Sequence, residues 1–192
     1  MSGASPAASA AAPLLLCLDA LTMAGDSDLE PSGPHGHWSG EARRLLAHAR
    51  AAGWWVGHAI SRRPAAAARW VALAGFSPLP SEPVFHRDQA SALSCPALQE
   101  AMARRPQLEA ILCGVSVDGS CLATALEAAR LGVRLTIAMD ATWMSGAEQA
   151  GLQGLRELQA RNLLAPGRLR LAPAQALLRS IPQLRVVQGG RR

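Results

Sequence analysis

The stretch that decides the fold is "LEAILCGVSVDGSCLATALEAARLGVRLTIAMDA", residues 108–141. "LEAILCGV" (108–115) is a continuous apolar run of strand length. "SCLATALEAARLG" (120–132) then repeats small and apolar residues at helical spacing and stops at a glycine. "VRLTIAMDA" (133–141) is a second apolar run. A strand, a helix of about three turns and another strand define a right-handed crossover between parallel neighbours.

The same alternation continues on both sides. Upstream, "PLLLCLDA" (13–20) reads as a buried strand that ends in a carboxylate, Asp19. A Gly/Pro/Asp/Ser-rich loop covers 24–38, and "SGEARRLLAHARAAG" (39–53) follows as an amphipathic helix with Ser39 at its N-cap and Gly53 as its stop. "WWVGHAI" (54–60) is the next strand, "PAAAARWVALAG" (64–75) a short helix, and "EPVFHR" (82–87) a strand. "SCPALQEAMARRP" (94–106) is a helix with proline in its first turn. Downstream, an S-x-x-E capping box, Ser145 to Glu148, opens a helix over 145–162, and a strand (168–172) and a helix (173–181) close the chain. The expected architecture is a single α/β domain over 13–181, three-layered, with a mainly parallel central sheet. Residues 1–12 read as a flexible arm and 182–192 as a loose basic tail.

Composition narrows the function classes. Of 192 residues, 49% are apolar, which suits a globular domain with a substantial core. The 19 basic residues are all arginine, and the net charge is +5. The arginines are dispersed and not interleaved with aromatics, so no nucleic-acid surface is expected. The four cysteines form no C-x-x-C pair, and three of them lie in apolar runs, as in a reducing compartment. No basic residue precedes Arg43, and Asp19 breaks a short apolar run, so the reading is a cytoplasmic protein without a signal peptide or membrane span. His35 and His37 have a spacing that could hold a metal but lack further ligands, so no metal and no cofactor are expected.

In such sheets ligands bind at the carboxyl ends of the strands. Three segments bring polar residues there: Asp19, Arg87 and the 114–121 loop. Together they resemble the isochorismatase-like hydrolases, the superfamily that includes nicotinamidases and N-carbamoylsarcosine amidases. "LLLCLDA" is similar to the family's first strand with its catalytic Asp. "VFHRDQASAL" is similar to the segment with the catalytic Lys. "ILCGVSVDGSCLATALEAARLGVRLTIAMDA" is similar to the nucleophile loop, G-V-x-T-x-x-C-V-x-x-T-A, with its helix and the strand after it.

The resemblance implies an Asp–Lys–Cys site, and this chain departs from it twice. Counting forward from Gly114 and back from Thr124-Ala125 puts Ser120 at the cysteine position, with Cys121 in the adjoining place and turned inward. Arg87 stands where the lysine would be. Leu21 takes the place of a frequent glutamine, and the metal ligands of some members have no counterpart. Arginine keeps the charge but is not deprotonated in proteins. A serine needs an adjacent base where a cysteine beside a cation is already partly thiolate. The expected site is therefore Asp19, Arg87 and Ser120, with the amides of Ser116 and Ser120 facing an oxyanion and with Cys121 and Trp143 at the pocket. The resemblance also implies a cis bond between Val115 and Ser116.

These departures imply a homologue with a degraded triad, without thiol-amidase activity, that binds a small molecule or serves as a partner subunit. It is expected to form a homo-oligomer, a dimer or tetramer. The alternative is a hydrolase of altered chemistry, with Asp19 as general acid or Ser120 as nucleophile on a small amide or vinyl ether.

Overall fold

The computed structural model describes residues 12–23, 37–62, 70–72, 75–105, 108–116, 119–161 and 168–180. The expected arm and tail, His35 and most of the 24–38 loop lie outside them. Eight strands and five α-helices occur among the described residues: β1 (Leu14–Leu18), β2 (Leu21–Met23), α1 (His37–Ala51), β3 (Trp55–Ser61), β4 (Trp70–Ala72), β5 (Val84–Arg87), α2 (Pro96–Ala103), β6 (Glu109–Val115), α3 (Ser120–Leu131), β7 (Arg134–Trp143), α4 (Gly146–Ala160), β8 (Leu169–Ala172) and α5 (Ala174–Ser180).

Six strands form one parallel sheet in the order β5-β3-β1-β6-β7-β8. The α/β layering expected from the crossover pattern is present. β1 sits inside this sheet, so both its faces must be apolar. Leu14, Leu16 and Leu18 pack toward α2, α3 and α4, while Leu15 and Cys17 pack toward α1 and α5. Each fully buried leucine contributes roughly 2 kcal/mol. Cys17 and Cys113 are register partners on β1 and β6, with sulfurs 3.7 Å apart in the core.

Three local readings change. α1 begins at His37, so Ser39 is a buried residue of its first turn and not its cap. The stretch expected to be a helix over 64–75 supplies β4, which pairs antiparallel with β2 just beyond Asp19. Here cross-strand pairing outweighs the helical preference of an alanine-rich segment. β7 runs on to Trp143 through an irregularity: Leu112 lies opposite Ile137, but Gly114 lies opposite Thr142. That slip places Trp143 beside Val115 at the end of β6.

The corner that leads into the site depends on one glycine. Gly114 has φ +111, and a Cβ there would lie 2.3 Å from the carbonyl oxygen of Leu18. Only glycine permits that approach. The residue directly after β1, Asp19, has φ +34, the one non-glycine positive φ among the described residues. Aspartate tolerates the left-handed region better than most, yet such a conformation still costs about 1 kcal/mol.

Candidate functional site

Asp19 leaves the end of β1 between β3 and β6, and Arg87 ends β5, the strand beyond β3. Arg87 shares its side of β5 with buried Phe85, while Val84 and His86 are exposed on the other. His86 thus points away from the site, as the period of a strand requires. The Arg87 side chain reaches across β3 and donates from Nη2 to Asp19 Oδ2. Its Nη1 donates to the carbonyls of Gln89 and Ala90, 2.7 Å each. Asp19 Oδ1 accepts from the backbone N–H of Ser61 at 2.7 Å, and the Asp19 N–H donates to the Ala59 carbonyl at 2.9 Å. Both carboxylate oxygens are therefore engaged. Arg87 Nε is buried without a partner among the described residues.

Ser120 is the first residue of α3, and its N-cap is Gly119 in the left-handed conformation. It is fully buried. Its Oγ lies 3.2 Å from Ser116 Oγ, not against Asp19 or Arg87. Ser116 Oγ lies 2.6 Å from Glu148 Oε1 and accepts the N–H of Cys121 at 2.8 Å. Glu148 Oε1 also accepts from Leu122 N at 2.8 Å, and Oε2 is buried without a partner among the described residues. The helix start is held on its other side through Thr124, whose Oγ1 donates to the Ser120 carbonyl (2.7 Å) and accepts the Ala92 N–H (2.9 Å). That bond ties α3 to the turn after Arg87.

The structure brings Asp19 and Arg87 into contact and sets Ser116 and Ser120 at the end of the adjoining strand β6. The other candidates differ. The Ser116 N–H, expected to face an oxyanion, donates to the Trp143 carbonyl at 2.8 Å. None of the described peptide bonds is cis, so the expected cis bond at Val115–Ser116 is absent. Trp143 is half-buried and packs on the α1 side of the sheet. Cys121 lies in the core beneath α3, where burial and then the charge of Glu148 push its thiol well above the ordinary range. It remains a thiol there and is no nucleophile. His37 lies in the first turn of α1, and no group of three or more His, Cys, Asp or Glu that could hold a metal occurs among the described residues.

Glu148 joins the site although the sequence marks it only as a capping residue. Its backbone N–H completes the expected cap, donating to Ser145 Oγ at 3.2 Å. A reciprocal capping box would return the carboxylate to Ser145, but here it crosses to α3 instead. The S-x-x-E spacing carries no mark of that crossing.

A domain described as the isochorismatase domain matches residues 37–164. The chain belongs to the isochorismatase family. Solved structures agree in fold. A hydrolase of the isochorismatase family from Chromobacterium violaceum is 23% identical, with 94% of this chain and 98% of that one covered and a TM-score of 0.64. An isochorismatase-like hydrolase from Alkaliphilus metalliredigens is 14% identical, with 88% and 99% covered and a TM-score of 0.66. N-carbamoylsarcosine amidase from Thermoplasma acidophilum is 14% identical, with 85% and 96% covered and a TM-score of 0.61. No curated protein sequence matches the chain. No helix among the described residues is long and apolar enough to cross a membrane.

Proposed function

We propose that this chain binds a small molecule over the carboxyl ends of β1, β3, β5 and β6 and does not hydrolyse amides through a thiol. It acts as a small-molecule binder or as a partner subunit, on a fold inherited from hydrolases. The observation that carries this reading is the state of Asp19. With Oδ1 on Ser61 N–H and Oδ2 on Arg87, its carboxylate is committed to an ion pair and makes no bond to Ser120. A cysteine-dependent site needs a thiolate and a proton-carrying partner beside it. Here the thiol of Cys121 is in the core, and the cation is one that keeps its protons.

The test combines binding and turnover. Thermal-shift measurements with small carboxylates, amides and vinyl ethers should find ligands that raise the melting temperature. Asp19→Asn should weaken them. Amide turnover by the wild-type chain that disappears in Asp19→Asn would overturn the reading. A second reading, hydrolysis by altered chemistry, is favoured by one observation: the Ser120 hydroxyl is joined through Ser116 to a buried carboxylate.

A further inference from the structure

We propose that Ser120, Ser116 and Glu148 form a proton relay that makes Ser120 a nucleophile toward small esters. The proposal rests on the reading that ligands bind at the Asp19–Arg87–Ser120 end of the sheet. It keeps Ser120 as the expected nucleophile but sends its proton to Glu148 and not to Asp19.

The hydrogen positions follow from three distances. A carboxylate oxygen only accepts, so Ser116 donates its single proton to Glu148 Oε1 across 2.6 Å. One lone pair of Ser116 Oγ then receives the Cys121 N–H, at 2.8 Å. The other receives the Ser120 hydroxyl, at 3.2 Å, since Ser116 has no proton left to give. Ser120 is therefore the donor in that bond, and its own lone pairs face elsewhere. A nucleophilic hydroxyl needs this orientation: proton toward the base, lone pairs toward the substrate. Leu122 N–H fixes Glu148 Oε1 from α3, and Oε2 stays unpartnered in a buried position. Among the described residues, only Ser116 and Leu122 bond to this carboxylate.

The step balances without an oxidant or metal. Ser120 Oγ forms a bond to the acyl carbon, and the carbonyl pair moves to oxygen. The Ser120 proton passes to Ser116 as the Ser116 proton passes to Glu148. Collapse of the adduct expels the alkoxide, which takes a proton back along the same relay. Water then attacks the acyl-serine by the same path and releases a carboxylic acid. Ser120 is the catalytic residue, and Ser116 and Glu148 are positioning residues that act through it.

The probe is p-nitrophenyl acetate, with intact-mass detection of one acetyl group and peptide mapping of its position. Wild-type protein should acetylate at Ser120, and Ser120→Ala should abolish the adduct. Ser116→Ala and Glu148→Gln should slow acetylation by about 100-fold or more, the usual share of a positioned base. Glutamine can still accept from Ser116 and Leu122, so Glu148→Gln keeps the structural bonds and removes only the basicity. Its folded state is checked by melting temperature. Glu148→Asp should restore part of the rate that Glu148→Gln loses. Glu148→Gln labelled at the wild-type rate, or wild type unlabelled while small ligands still raise its melting temperature, overturns the relay alone. No labelling and no ligand-induced shift overturns the relay and the site reading together.

Discussion

Two carboxylate–arginine pairs lie beside β3 and β5, Glu82–Arg50 with its arginine half-buried and Asp19–Arg87 fully buried, and they differ in how completely they are satisfied. Glu82 accepts from Arg50 Nε (2.7 Å) and Nη2 (2.8 Å), from the Leu79 N–H (3.0 Å), and is paired with His58 Nε2 (2.9 Å). Arg50 Nη2 also donates to the Ser77 carbonyl. Asp19 and Arg87 have a single contact between them, a left-handed backbone at Asp19 and an orphaned Nε on Arg87. The first pair ties α1 to β3 and to the segment before β5, and every bond within it can be explained as bracing. The second leaves a buried donor unmade at a strand end, where ligands bind in such sheets. Unsatisfied groups, more than the presence of charge, separate a site from a brace.

The comparison breaks most visibly at the brace. Glu82→Ala should destabilise the protein by about 4 kcal/mol in chemical denaturation, because it leaves Arg50 and buried His58 without their anion. Next comes the corner that shapes the site. Gly114→Ala should cost about 3 kcal/mol, since the new Cβ meets the Leu18 carbonyl and the backbone is left-handed. The same variant should lose ligand-induced stabilisation while retaining its far-UV circular dichroism. Asp19→Asn should cost less, about 2 kcal/mol, measured in the same way. A larger loss there than for Glu82→Ala would reverse the assignment of brace and site.

The smallest effect is spread over pH. Burial pushes Glu82 up, but the bonds from Arg50, Leu79 and His58 outweigh it and hold the carboxyl at about 2, against 4.5 ordinarily. Burial lowers His58, against a smaller opposing pull from Glu82. In both cases the unfolded chain takes up a proton before the folded one does. The contribution of these two groups is therefore complete above pH 6.5. It should decline first through His58, and then through Glu82 between 4.5 and about 2. The slope is at most about 1.4 kcal/mol per pH unit for each proton. Glu82→Gln should lack the lower part of the decline.

The layered sheet is legible in the sequence because its strands are apolar on both faces and its helices carry their own punctuation. Pro96 opens α2, Gly132 closes α3 with φ +73, and Ser145 caps α4. Asp19 and Arg87 can be placed at strand ends by counting alone. Their contact spans 68 residues and joins two strands that are not neighbours in the sheet, and only the resemblance to a family suggests it. β4 reads as helix because its three residues depend on a partner across the chain. Glu148 and the Glu82–His58–Arg50 cluster are invisible for a related reason. Each assembles from separate segments, and no spacing in the sequence encodes where a long side chain crosses from one helix to another.

The central place of β1 also bears on how the chain acquires its structure. Leu14–Leu18 are among the earliest described residues, yet half of their ladder is formed with Ala110–Gly114, a separation of 96 residues. No local hairpin can substitute for that pairing. The β3 ladder and the α1 face can form from nearby segments, but a large loop must close before the β6 ladder forms and α3 and α4 cover the other face, and closure entropy slows folding where such distant contacts dominate. During synthesis the β6 edge of this strand, and the face that carries Leu14, Leu16 and Leu18, wait for β6 and α3 to emerge. The most apolar segment at the start of the described chain is thus also the one most open to capture by chaperones or by other unfinished chains.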